Sequence, residues 1–170
     1  SAGHSWADFD SYDEFLLKGA KEWGKNVAPH IESISSAITA LDTSISNLNP
    51  NPEEVNLVSV VRYHLKPGKG STFSRIIKKF HKMIRENKRE GYYAFSWFVN
   101  GGKGPMVALA LFHKNWAGME GPEEKFPAFV ERVMGEEEAK KTWEEFHDTY
   151  RSIDSFTAQL RRNLSILPEK

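Results

Sequence analysis

The chain predicts an α+β fold, with one sheet and helices packed on one of its faces. Three observations point that way. Residues 55–65 form a strand-like run rich in valine. Phe73, Ile76, Ile77 and Phe80 recur at helical spacing just after it. Two apolar runs, 92–99 and 106–112, flank a turn that holds Gly101, Gly102 and Gly104. Period two and period 3.6 therefore alternate along the chain, as they must when both element types build one core.

Each element can be justified in turn. Val55, Val58, Val60 and Val61, with Tyr63 beside them, lose little on a pleated surface and crowd a helix. The run is almost continuously apolar, which suits a strand covered on both faces. Pro67-Gly68 stops it. Ser71 or Thr72 is expected to cap the following helix by offering a hydroxyl to its free backbone N–H groups. Met83 and Ile84 extend the apolar stripe, and Arg75, Lys78, Lys79, Lys82, Arg85, Lys88 and Arg89 lie opposite. Gly91 is expected to end the helix in a left-handed conformation. The runs YYAFSWFV (92–99) and MVALALF (106–112) make an antiparallel hairpin across the glycine turn. After a loop holding Trp116, the residues Phe126, Phe129, Val130, Val133 and Met134 open a second helical region. Gly135 breaks it, and Ala139, Trp143, Phe146 and Tyr150 continue it. Its outer face carries Glu131, Glu136, Glu137, Glu138, Glu144, Glu145 and Asp148, which would lie beside the basic face of the first helix. A fourth strand around residues 156–161 completes β-α-β-β-α-β. That is the ferredoxin-like order: a four-stranded antiparallel sheet with two helices on one face.

The first 50 residues read as mainly helical. Ser11 and Glu14 form a capping-box pair, and Tyr12, Phe15, Leu16, Ala20, Trp23 and Val27 make a stripe. Ile31, Ile34, Ile38, Leu41, Ile45 and Leu48 favour a long helix by spacing, against the poor helix formers Ser35, Ser36, Thr39, Thr43, Ser44 and Ser46. Residues 51–54, after Asn49-Pro50, are a linker. Self-similarity gives a second view. Trp6-Ala7 matches Trp116-Ala117, Ser33-Ile34-Ser35-Ser36 matches Ser152-Ile153-Asp154-Ser155, and residues 46–50 approximate residues 165–168. Residues 1–50 thus resemble the second half of a repeat whose complete copy is 55–170. They are either part of a chain that begins inside a first repeat or a helical arm on the complete domain.

Bulk composition narrows the partners. The 170 residues hold 23 basic and 23 acidic side chains, so net charge offers no argument for nucleic acid. With no cysteine, disulfides, thiolate zinc sites and cysteine nucleophiles are excluded. No apolar run reaches about 18 residues, so no membrane partner is expected. The compartment is open, with export slightly favoured.

The strand ending in YHLKPGK, the striped helix, the aromatic hairpin with its glycine turn and the tail LSILP resemble the dimeric α/β-barrel superfamily, which includes antibiotic-biosynthesis monooxygenase-like and NIPSNAP-like domains. The likeness covers residues 55–168. It implies two sheets pairing, from two chains or two tandem repeats, around a cavity on the open sheet face. Elementary packing agrees, because a bare apolar sheet face seeks a cover. The resemblance implies a protein that binds a small apolar or aromatic molecule there. The alternatives are a cofactor-independent monooxygenase or a purely structural pairing module. Haem-degrading relatives carry an asparagine on the first strand and a histidine on the second helix. Here Val61 takes the first place and no histidine occurs between 114 and 146, so neither haem nor another cofactor is expected. Cofactor-free monooxygenases of the superfamily use tryptophan, asparagine and arginine, and Trp97, Asn100 and Arg62 are the matching types. Tyr63, His64, His113 and Trp116 complete the candidate ligand-binding set. The histidines lack metal-ligand spacing, so no metal is expected.

Overall fold

The computed structural model describes residue 7, residues 19–48 and residues 51–161. The chain divides into two compact units, Ser1–Ser36 and Ala37–Lys170. In the first, residues 19–26 are helical and a 3-10 turn follows at Ala28–His30. Pro29 is tolerated there because the first turn needs no N–H from it. The Ser11–Glu14 pair, Trp6 and the repeat segment at 165–168 lie outside the described residues.

In the second unit, β1 (Ala37–Asn47), β2 (Leu57–Leu65), β3 (Tyr92–Gly101), β4 (Met106–His113) and β5 (Tyr150–Gln159) make one sheet in the order β1-β3-β4-β2-β5. Every pairing is antiparallel. The helices are α1 (Gly70–Glu86), α2 (Phe126–Met134) and α3 (Glu136–His147). From β2 onward this is the ferredoxin-like frame, its second helix split where Gly135 takes a φ of +83°.

The sheet has five strands rather than four. Residues 37–47, whose spacing favours a helix, form the added edge strand on β3. Their Ile and Thr side chains suit a strand. The misleading spacing of Leu41 and Ile45 has a local cause. The register slips after Asp42, where Ser46 Oγ donates to the Asp42 carbonyl at 2.7 Å and accepts from Phe95 N–H at 2.9 Å. That irregularity turns Ile45 inward until it is wholly buried. The last strand also starts earlier than expected, at Tyr150.

Alternation sets the layers. Tyr63 and Leu65 of β2, Tyr93 and Phe95 of β3, and Val107 of β4 face the helices and pack on Phe73, Ile76, Phe80 and Phe146. Tyr63 is hemmed in by Phe73, Phe146 and Tyr150, with ring centroids 5.3, 5.6 and 5.4 Å away. Such edge and tilted aromatic contacts add to plain area burial.

Neither helix end follows the expected chemistry. α1 starts before Ser71 and Thr72, and no side chain caps it. Its entry is fixed by charge: Lys66 Nζ and Lys69 Nζ each sit 2.6 Å from one oxygen of Asp148, and the two ammonium groups hold that carboxyl down at about 2. The basic and acidic helix faces meet through Arg75–Glu145 and through Lys79 Nζ to Glu138 Oε1 at 2.6 Å. At the other end the residue that closes the helix is Lys88, φ +49°; Gly91, φ +128°, lies beyond that closure. Arg89 N–H reaches the Ile84 carbonyl at 3.0 Å and Lys88 N–H reaches that of Arg85 at 3.2 Å, which is a Schellman closure. A side chain in that conformation costs about 1 kcal/mol. Lys88→Gly is therefore expected to raise stability by up to about 1 kcal/mol, less the entropy that glycine adds to the unfolded chain. A thermal melt checks it, and an unchanged or lowered midpoint would contradict the strain.

Candidate functional site

The helix layer stops short of one end of the sheet, and a cleft of about 580 Å³ opens there. Its floor is the helix-facing side of the strands: Tyr63, Tyr93, Phe95, Leu109 and Leu111. One wall is α1, through Ile77, Phe80, His81 and Ile84. Phe126, Trp143 and Phe146 close the back. The roof is the β4–α2 connection, with Met119 and Gly121. A 3-10 turn at Ala117–Glu120 shapes that roof, and His113 Nδ1 lies 3.1 Å from the Gly118 carbonyl to tether it. Arg89 pins its far end, donating from Nη2 to the Glu124 carbonyl at 2.6 Å and stacking 4.7 Å above the Phe129 ring. An apolar cleft of this size with few polar groups has the character of a small-molecule site.

The polar groups are specific. His81 Nδ1 is 2.8 Å from the Tyr93 hydroxyl. Burial pushes the Tyr93 hydroxyl up to about 12, so it keeps its proton. Burial, then the nearby Arg85 charge, push the His81 imidazole below its usual range, so the ring is neutral at pH 7. The pair thus offers a neutral donor and a neutral acceptor. Tyr63, also raised to about 12 by burial, is a further protonated hydroxyl on the floor.

The cleft lies on the helix-covered face of the sheet, a place the sequence reading did not anticipate. The cause is packing: α1 ends at Glu86, and the long β4–α2 connection lines the space beyond it. The seven residues singled out from the sequence separate accordingly. Tyr63 and His113 line the cleft. Trp97 faces the helices but packs edge-on against Phe73, ring centroids 6.1 Å apart, and donates from Nε1 to Asp42 at 3.3 Å. Asn100 Oδ1 accepts from the adjoining Gly101 N–H at 2.7 Å, a local contact at the end of β3. Trp116 precedes the 3-10 turn and is 60% exposed. Arg62 and His64 point to the other face, where both bond Asp154. Pattern reading missed His81 and Tyr93 as a pair, because a helix residue and a strand residue meet only through packing. Among the described residues no group of three or more His, Asp or Glu is placed to hold a metal ion, and no helix is long and apolar enough to cross a membrane.

No family model matches the sequence, and no curated protein matches it. Among solved structures the chain is similar to a crystal structure of an anthrone oxidase-like protein, with a TM-score of 0.53 and 11% sequence identity. The alignment covers 86% of this chain and 66% of that one. At that identity the likeness is one of fold alone, and it agrees with the α+β architecture.

Proposed function

We propose that this chain binds a small, largely apolar aromatic molecule in the cleft between sheet and helices, with a hydroxyl or carbonyl of the ligand directed at His81 and Tyr93. The observation that carries the proposal is the cleft itself: about 580 Å³, walled mostly by aromatic and aliphatic side chains, with the His81–Tyr93 pair among its polar groups. Neutral partners suit an uncharged ligand group at the His81–Tyr93 pair; the charged side chains of the lining are Arg89, Glu90, Glu120 and Lys125. A second reading is a cofactor-independent oxidase acting on a phenol or anthrone. It is favoured by the neutral His81, which can accept an acidic proton away from water, and by the name of the structural neighbour. Oxygen uptake with a phenol and anthrone panel separates the two readings.

Binding is measured by quenching of tryptophan fluorescence with 2-naphthol, since Trp143 lines the cleft. Saturable quenching is expected. Leu111→Phe, which adds bulk to the floor, is expected to weaken it at least tenfold, with a stability cost no larger than the roughly 1–3 kcal/mol of ordinary overpacking. Absence of saturable quenching across naphthols and anthrones would remove the proposal.

The state of His81 can be read separately. Its imidazole is expected to titrate below 6.5 in the folded protein, and Arg85→Gln is expected to move the midpoint up. The folded form binds fewer protons than the unfolded one. The stability held by the neutral ring is therefore complete above pH 6.5 and declines as pH falls through it. NMR titration of the imidazole signals checks this, and a midpoint at or above 6.5 would contradict it.

A further inference from the structure

Asn100 takes no part in the cleft, yet its surroundings set it apart. It is the one asparagine of the sequence that a glycine follows. It is exposed at the end of β3, where Gly101 takes a φ of +78° and the chain turns toward β4. Gly101 N–H donates to Asn100 Oδ1 at 2.7 Å. A carbonyl bond is about 1.2 Å long, so Cγ of that side chain is held within about 3.9 Å of the Gly101 nitrogen. These two atoms are the ends of a five-membered ring that one new bond would close. With no Cβ on Gly101, that residue does not shield its own nitrogen.

The other end of the amide is free. Oδ1 is the atom that accepts the N–H, so the remaining end is Nδ2, and it has no hydrogen-bond partner among the described residues. Elsewhere the amide nitrogens are tied. Asn26 donates to Glu22, and Asn47, Asn56 and Asn87 donate to the carbonyls of Gly91, Lys114 and Met83. Asn115 holds Gly118 N–H through its Oδ1 and is followed by the bulky Trp116. Asn100 alone among them joins an untied amide to an unshielded neighbouring nitrogen.

We propose that Asn100-Gly101 is a self-modification site, at which the chain cyclises and water completes the reaction. The Gly101 nitrogen gives its proton to hydroxide and bonds to Asn100 Cγ. The Cγ–Nδ2 bond breaks, and Nδ2 takes a proton from water and leaves as ammonia. The product is a succinimide, and water then opens one of its two ring C–N bonds. Cleavage at Cγ leaves aspartate in an unaltered backbone. Cleavage at the main-chain carbonyl of residue 100 leaves isoaspartate, whose backbone runs through the side chain. Either product adds a negative charge, and no oxidant or cofactor is consumed. The strand pairing registers the change. Asn100 lies opposite Ile38 and Gly101 opposite Ala37, next to a register shift between Ile38 and Thr39. Isoaspartate lengthens the β3 backbone by one carbon between those two pairs, so the start of β1 loses its register while the pairs from Thr39 to Asp42 persist. The reaction needs neither the cleft nor its ligand.

The test ages the full chain in mildly alkaline buffer and follows tryptic peptides by mass spectrometry. Asn100 is the sole asparagine of peptide 90–103. Conversion of its amide to acid is expected at least about tenfold faster than at any other asparagine, the kind of advantage an oriented intramolecular attack confers. Isoaspartate methyltransferase with S-adenosylmethionine is expected to label that peptide. Asn100→Gln, which would have to close a larger ring, is expected to lose both signals. Amide hydrogen exchange at Ile38 is expected to quicken in the aged wild type and to stay unchanged in Asn100→Gln aged alike. The same chain unfolded in urea separates the geometry from the dipeptide: the folded chain is expected to react at least as fast. Slower reaction in the folded chain overturns the proposal, as does a peptide 90–103 that keeps its amide while other asparagines convert. Unchanged exchange at Ile38 in isoaspartate-bearing protein overturns the loss of register.

Discussion

The arrangement depends on the register of β2. This strand is paired along both edges, with β4 on one side and β5 on the other. Its alternation decides which side chains enter the helix layer and which face away. Tyr63 goes inward and becomes part of the aromatic core and of the cleft floor. Arg62 and His64 go outward and find Asp154. A slip of one residue would exchange the two sets, placing an arginine and a histidine among Phe73, Phe146 and Tyr150. A guanidinium buried there without its carboxylate would cost several kcal/mol. The core and the charged network therefore enforce the same register from opposite faces.

Much of the frame was legible in the chain. The valine-rich strand, the α1 stripe, the hairpin and the break at Gly135 all rest on local pattern, and local pattern survived packing. What failed had non-local causes. β1 looked helical because its irregular register moves Ile45 to the inner face, mimicking a helical interval, and that irregularity needs Phe95 from β3. The absent cap on α1 reflects Asp148, some 80 residues downstream, which anchors Lys66 and Lys69 in place of a hydroxyl. Of the site residues, Arg62, Tyr63, His64 and His113 were legible as polar or aromatic positions on strands. Their partners were not. Asp154 reaches Arg62 only through strand pairing, and His81 reaches Tyr93 only through the seating of α1.

The two faces of the sheet differ in the chemistry they can support. The inner cleft is mostly apolar, and its Tyr63, Tyr93 and His81 groups are held near their uncharged forms by burial. The outer network is ionic and partly exposed, with the Asp154 carboxylate at its centre. A ferredoxin-like sheet can hold both because each strand presents alternate residues to two environments. The fold likeness to an anthrone oxidase-like protein bears on the frame alone. What either face can do is decided by the named side chains.

The placement of β2 also governs how the chain reaches its native state. β2 joins β5 from Leu57↔Gln159 to Leu65↔Tyr150, closing a loop of about 90 residues. Contact order is accordingly high, and proteins of that kind fold in milliseconds to seconds rather than microseconds. During synthesis one whole edge of β2 stays unpaired until residue 159 has left the ribosome. Valine-rich and open along its hydrogen-bonding side, that edge is the part of the nascent chain most prone to pair with another molecule.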